Sequence, residues 1–210
     1  MKHAIQARQW LRTGILSLLA FFLIPAAGSA ARVYDVSVDT SSIAGTNGFF
    51  DFQFNPGGAA PSAVATLSQF DLGGATLLAS PTLDGEVSGA FPGTLTIGNS
   101  AQFNALLQEV TFGTSLSFRI EFGGEFLTQP STDETVFALV FWSPDLLEPL
   151  LPVGPIGGSV EFRLLSGTVS DDIFAAGSIT PVPEPATWAL LAAGILCIAG
   201  GTARRRKSAA

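Results

Sequence analysis

Apolar and polar positions divide the chain into three stretches. Near the front, Gly14 to Ile24 is an apolar run behind a basic stretch that ends at Arg12. Near the end, Ala186 to Ala203 forms a long run without a single charge. Between them the pattern alternates. Phe50-Asp51-Phe52-Gln53-Phe54, Leu116-Ser117-Phe118-Arg119-Ile120-Glu121-Phe122 and Val160-Glu161-Phe162-Arg163-Leu164 each place apolar side chains on one face and polar ones on the other. That period of two is the mark of a half-buried strand. Val136 to Trp142 is continuously apolar and reads as a strand covered on both faces.

Weaker strand patterns fall at Val33–Val38, Ala63–Phe70, Thr76–Ala79, Thr94–Ile97 and Phe174–Ile179. Turn residues punctuate the gaps: Asn55-Pro56-Gly57-Gly58, Gly73-Gly74, Gly123-Gly124 and Gly157-Gly158. In the first of these, Pro56 presets φ and the glycines accept positive φ, as a tight turn requires. One segment reads as helical: Ser100 would cap a short helix carrying Phe103, Leu106, Leu107 and Val110 at i, i+3, i+4, i+7. Eight or nine short strands predict an all-β fold, an antiparallel β-sandwich of jelly-roll type with one short helix. A barrel is the alternative. No fixed-period repeat points to a solenoid.

Charge sharpens the division. The chain of 210 residues has a net charge of −7, but its ten Lys and Arg sit mainly at the ends. Lys2, Arg8 and Arg12 precede the first apolar run, and Arg204, Arg205, Arg206 and Lys207 follow the last. Only Arg32, Arg119 and Arg163 remain for the body, against all of the 17 acidic residues except Glu184. A body so acidic lacks the basic stripe that nucleic acid or an anionic membrane surface demands.

The ends read as addresses. The basic start, the apolar run and Ala-Ala-Gly-Ser-Ala at 26–30 follow the order of a secretory signal. Gly28 and Ala30 supply the small residues for signal peptidase, with cleavage expected after Ala30 or close to it. Residues 1–30 are thus a signal peptide and residues 31–180 an extracytoplasmic domain. At about 1.5 Å per residue, Ala186–Ala203 would span about 27 Å as a helix, enough for a bilayer core. Trp188 suits the interface at one end, and the cations at 204–207 hold the other end in the cytoplasm. Both ends place the body outside.

Before that apolar run stands Val182-Pro183-Glu184-Pro185. The prolines fix φ and keep the segment extended, and Glu184 offers a charged handle. The ordered triplet, apolar run and terminal Arg cluster resemble the PEP-CTERM sorting signal of exported proteins from Gram-negative bacteria that make extracellular polysaccharide. The resemblance covers the chain from Val182 to its C-terminus. It implies processing near Pro183, Glu184 and Pro185 by an exosortase, a membrane enzyme with a cysteine nucleophile. It also implies membrane retention through Arg204, Arg205 and Arg206, to which Trp188 and Lys207 add at the two ends of the run, and assigns the sorting signal to residues 181–207. Phe50 to Gly58, Gly98-Asn99-Ser100 with Phe103, and Thr111 to Phe118 are similar to blocks in one group of such surface proteins, a group that implies no activity.

The body is poor in chemistry. His3 lies in the signal and Cys197 in the final apolar run, so the mature domain has neither His nor Cys. A Ser-His-Asp triad, a Cys-His pair, a disulfide scaffold and a thiolate metal site are all excluded. With no Lys in the body, Schiff-base chemistry is excluded too. Two carboxylates alone can hydrolyse a glycoside. The candidate pairs are Glu121 with Glu125, Asp133 with Glu134, and Asp171 with Asp172. Each reads better as a solvated edge or loop. Calcium suits an acidic body, but no D-x-[DN]-x-[DN]-G loop is present, and no metal or cofactor is expected. A sugar-stacking platform would use Trp142 and Tyr34, with Trp142 reading as core. The expected protein is a non-enzymatic exported surface or matrix component of a biofilm. Its partners are signal peptidase, an exosortase, the membrane through the C-terminal helix, and extracellular polysaccharide. It passes through the inner membrane in transit. The alternative is a secreted carbohydrate-binding module or carboxylate-dependent glycosidase.

Overall fold

The computed structural model describes residues 31–183 and the isolated Gly194. The expected signal peptide, transmembrane helix, Glu184, Pro185 and basic cluster lie outside the described residues. The body is built from β1 (Arg32–Asp39), β2 (Asn47–Pro56), β3 (Ala63–Asp71), β4 (Thr76–Leu77), β5 (Thr82–Asp84), β6 (Val87–Gly89) and β7 (Leu95–Gly98). It continues with β8 (Ala105–Thr111), β9 (Ser115–Gly124), β10 (Thr135–Trp142), β11 (Val160–Leu165), β12 (Thr168–Ile173) and β13 (Gly177–Pro181). Two antiparallel sheets result, ordered β13-β1-β9-β3-β7-β6 and β12-β11-β10-β2-β8-β4, with β5 also on β8.

The apolar positions of the alternating stretches fold inward as their pattern predicts. Phe50, Phe52 and Phe54 of β2 point inward, as do Leu116, Phe118, Ile120 and Phe122 of β9, and Phe162 of β11. Phe rings bridge the two sheets: Phe52 meets Phe118 at 5.8 Å and Phe54 meets Phe122 at 6.0 Å between centroids. Tilted and edge-on pairs of this kind add to the stabilisation from burial alone. The apolar run in β10 is central, between β11 and β2, and Ala138 and Val140 on its outer side are also buried. On the outer face of the other sheet, Asp35 and Arg119 stand opposite one another and form a two-pronged ion pair at 2.8 and 3.0 Å. That hydrogen bonding holds the Asp35 carboxyl below its ordinary range.

The expected helix is not there. Residues 105–111 form strand β8, paired with β2 from Asn47↔Thr111 to Gln53↔Ala105. Leu106 and Val110 are four apart, a spacing that fits one face of a helix and one face of a strand equally. The residue that distinguishes the two is Gln108. It points inward beside them, fully buried, so a polar side chain occupies an apolar position of the alternation. Its amide nitrogen donates to the Ala79 and Glu109 carbonyls. Phe103 is 47% exposed, outside the core that a helix would have given it. Among the described residues no α-helix is long and apolar enough to cross a membrane.

Candidate functional site

The last strand brings the end of the body to its beginning. β13 runs antiparallel to β1, with Tyr34 opposite Pro181. The ladder continues one step beyond β13, where the Val182 N–H donates to the Val33 carbonyl at 2.8 Å. Pro183 follows at once. Residues 31–34, 167–169 and 181–183 line a groove of about 520 Å³ between the edges of the two sheets. An Arg32 nitrogen donates to the Gly167 carbonyl across it at 3.3 Å. Tyr34 closes the inner end, its ring 5.1 Å from that of Phe162. Tyr34 is therefore core, and burial raises its phenol above the ordinary range. The expectation that it serves as an exposed stacking platform is corrected: as an inward residue of β1 its ring packs between the sheets.

This short edge is where the recognisable part of the chain begins. The family model of the PEP-CTERM protein-sorting motif matches residues 181–207. The chain carries a PEP-CTERM sorting motif. That motif marks an exported protein that crosses the membrane and is sorted by an exosortase. Of the expected motif residues, Val182 and Pro183 are seen on the β1 edge, and the rest of the PEP-CTERM segment lies outside the described residues. No curated protein and no solved structure matches the chain.

Upstream of the PEP-CTERM motif, the body holds polar groups that its alternation does not reveal. Asn104 is fully buried in the loop before β8. Its side-chain nitrogen donates to the Phe54 and Ala101 carbonyls, and its side-chain oxygen accepts from the Glu86 N–H at 2.8 Å. Its own N–H donates to the Asn55 side chain at 2.7 Å. Asn99 does similar work, accepting from the Ala63 N–H and donating to Pro61 and Thr135. So Asn55, Asn99 and Asn104 stitch the loops at one end of the sandwich. The turn expected at Asn55-Pro56-Gly57-Gly58 comes two residues later. Asn55 and Pro56 still pair with β10 as the end of β2. The chain turns at residues 57–60, where the Ala60 N–H donates to the Gly57 carbonyl at 3.1 Å, Gly58 takes φ 52° and the Asp133 carboxylate accepts from the Ala59 N–H.

Two acids are buried on the outer face of the second sheet. Glu161 is 1% exposed, although its alternation places it in solvent. One carboxylate oxygen accepts from the Ile156 and Gly158 N–H groups and pins the preceding loop. The other, without a hydrogen bond, lies 3.8 Å from Arg163. Asp51 accepts from the Trp142 indole N–H at 3.0 Å and the Gln53 amide at 2.6 Å. Trp142 is half-buried, its polar edge engaged by that carboxylate.

Members of two of the three candidate carboxylate pairs engage other partners. Glu125 accepts from Ser62, Asp133 from Ala59, and Glu134 from Arg163. Adjacent strand residues point to opposite faces, which separates Asp171 from Asp172 across the sheet. Asp171 is exposed, but partial desolvation by the fold, and then the charge of Asp172, raise its carboxyl. Among the described residues no group of three or more His, Cys, Asp or Glu is placed to hold a metal.

Burial also raises the Asp51 carboxyl, against the opposing pull of its bonds from Gln53 and Trp142. An acid raised on folding binds its proton more tightly in the folded chain. Its ionisation therefore weakens the fold as pH climbs from the ordinary carboxylate range to the raised value, and the loss is complete above it. Asp51→Asn keeps an oxygen for both donors and removes the charge. At pH 7 its Tm should equal or exceed that of the wild type, and any gap should close in acid. Thermal melts across pH check this, and a variant less stable at pH 7 would contradict it.

Proposed function

We propose that this protein is a non-enzymatic structural component of the cell surface or extracellular matrix of a Gram-negative bacterium. A signal peptide exports it and a C-terminal helix holds it in the inner membrane. An exosortase then cuts near Pro183, Glu184 and Pro185, and the sandwich joins the extracellular polysaccharide of a biofilm. The observation that carries the reading is the match of residues 181–207 to the sorting motif, directly after an acidic β-body. The chain changes sheet at most connections between β1 and β10, which supports the jelly-roll reading. The use of buried acids and amides as loop ties, rather than as groups facing a cleft, supports a structural role.

A second reading has one observation in its favour. A groove of about 280 Å³ on the outer face of the second sheet is bordered by Gln53, Asn55 and Glu134, with Val136 and Ala138 as its floor. Amides and a carboxylate over an apolar floor suit hydroxyl-rich ligands, which keeps carbohydrate binding as the alternative.

Fractionation of the native host tests the first reading. The protein should occur in the surface or matrix fraction of wild-type cells. In cells lacking the exosortase it should shift to the inner membrane at least ten-fold. The same distribution in both strains would refute the proposal.

A further inference from the structure

Both ends of the described body meet in one groove. Ala31, where the mature chain is expected to begin, and Pro183, the first residue of Pro-Glu-Pro, both line it. The meeting is fixed by β1–β13 pairing: Tyr34 with Pro181, Val36 with Ile179, Val38 with Gly177. The Val182 N–H faces β1, so the alternation turns Pro181 and Pro183 away from it. Proline has no N–H to donate, and at these outward positions none is needed. The same prolines blunt the free edge against an added strand.

The consequence is that no linker separates the motif from the folded body. Pro183, the first residue of Pro-Glu-Pro, is one residue beyond the last ladder bond, about 3.3 Å at the strand rise. A protein layer is about 10 Å thick. An enzyme surface that closes on Pro183 meets the walls of the groove that Pro183 itself lines.

We propose that this groove, with Arg32 on one wall and Thr168 on the other, is the surface on which the membrane sorting enzyme seats the folded body. This rests on the exosortase reading above. The partner is the extracytoplasmic face of that enzyme, and β13 stays paired with β1 while the motif is engaged. The enzyme then reads a composite of the motif and the start of the mature chain, so a body that has not closed its β1–β13 edge is a poorer substrate.

The test uses the full chain in a host that makes the exosortase. Pulse-chase measures C-terminal processing, with signal removal and protease resistance of the body as controls. Thr168→Arg and, separately, Arg32→Glu should each slow processing at least five-fold while both controls stay unchanged. They lie on opposite walls, so if one disturbs the fold the other carries the test. A third variant locks the edge. Asp35→Cys with Thr180→Cys joins a register pair about 5.5 Å apart at Cα, within disulfide reach, in a Cys197→Ser background. The oxidised lock should be processed at the wild-type rate. Processing only after reduction would show that β13 must unzip, and would overturn the proposal. Replacement of Pro183, Glu184 and Pro185 by Ala separates the two readings. If that variant is still processed, the sorting reading itself fails. If it is blocked while both groove variants run at the wild-type rate, only the groove proposal fails.

Discussion

Phe52→Ala should destabilise the body by about 3–5 kcal/mol, the range for emptying a large buried aromatic site. Phe52 is fully buried at the middle of β2. Its ring packs against Phe50 and Phe137 in its own sheet and Phe118 in the facing sheet, with Phe70 and Phe91 beside it. Those rings belong to strands on both sides, so they cannot collapse into the void without moving a sheet. No disulfide is available to offset the loss, because the body has no cysteine. Denaturant unfolding of the mature domain should show a lower midpoint with a similar slope. Phe52→Leu should recover more than half of the loss. A loss under about 1 kcal/mol for the alanine variant, far below the range for such a site, would mean that the inter-sheet core is not where it is described.

Asn104→Ala comes second, with an expected loss of about 2–4 kcal/mol, because a buried polar group left without its partner costs about 1–3 kcal/mol and more than one is affected. This variant strands three groups together: the Phe54 and Ala101 carbonyls and the Glu86 N–H. The damage should be local as well as global. Amide exchange at Glu86 should accelerate more than exchange in β9, because the Asn104 side chain is what accepts from Glu86. Uniform acceleration would argue that Asn104 contributes only to overall stability.

Much of this architecture is legible in the chain, and its failures have physical causes. Strands β2, β9 and β11 are readable because the inward positions of their alternating stretches are all Phe, Leu, Ile or Val. β8 is misread because Gln108 sits inward and because Leu106 and Val110 serve either period. β12 escapes notice because it is an edge strand. Its sequence, Thr168 to Ile173, is mostly exposed and contains adjacent acids. Strand β4 falls within the expected Thr76–Ala79, but β5 and β6 have three residues each, too few for any period to show.

Glu161 alternates like a solvent-facing residue, yet the loop before β11 folds over it and takes its carboxylate as a cap. That closure involves residues outside the strand, which a window on the strand cannot see. The sorting motif is legible because its chemistry is local: prolines, an acid, a flanking apolar run and a basic cluster follow one another without interruption. The meeting of that motif with the start of the mature body is not legible. It depends on pairing between the first and last strands of the body, and no local pattern records such a distant partner.

The fate of the C-terminus decides whether the sorting motif is used. Mass spectrometry of the protein recovered from the outside of its native cells identifies its last residue. The expected result is a chain that ends near Pro183 to Pro185, without Trp188 or the arginines at 204–206. A mature protein that keeps its tail through Ala210 would contradict the account.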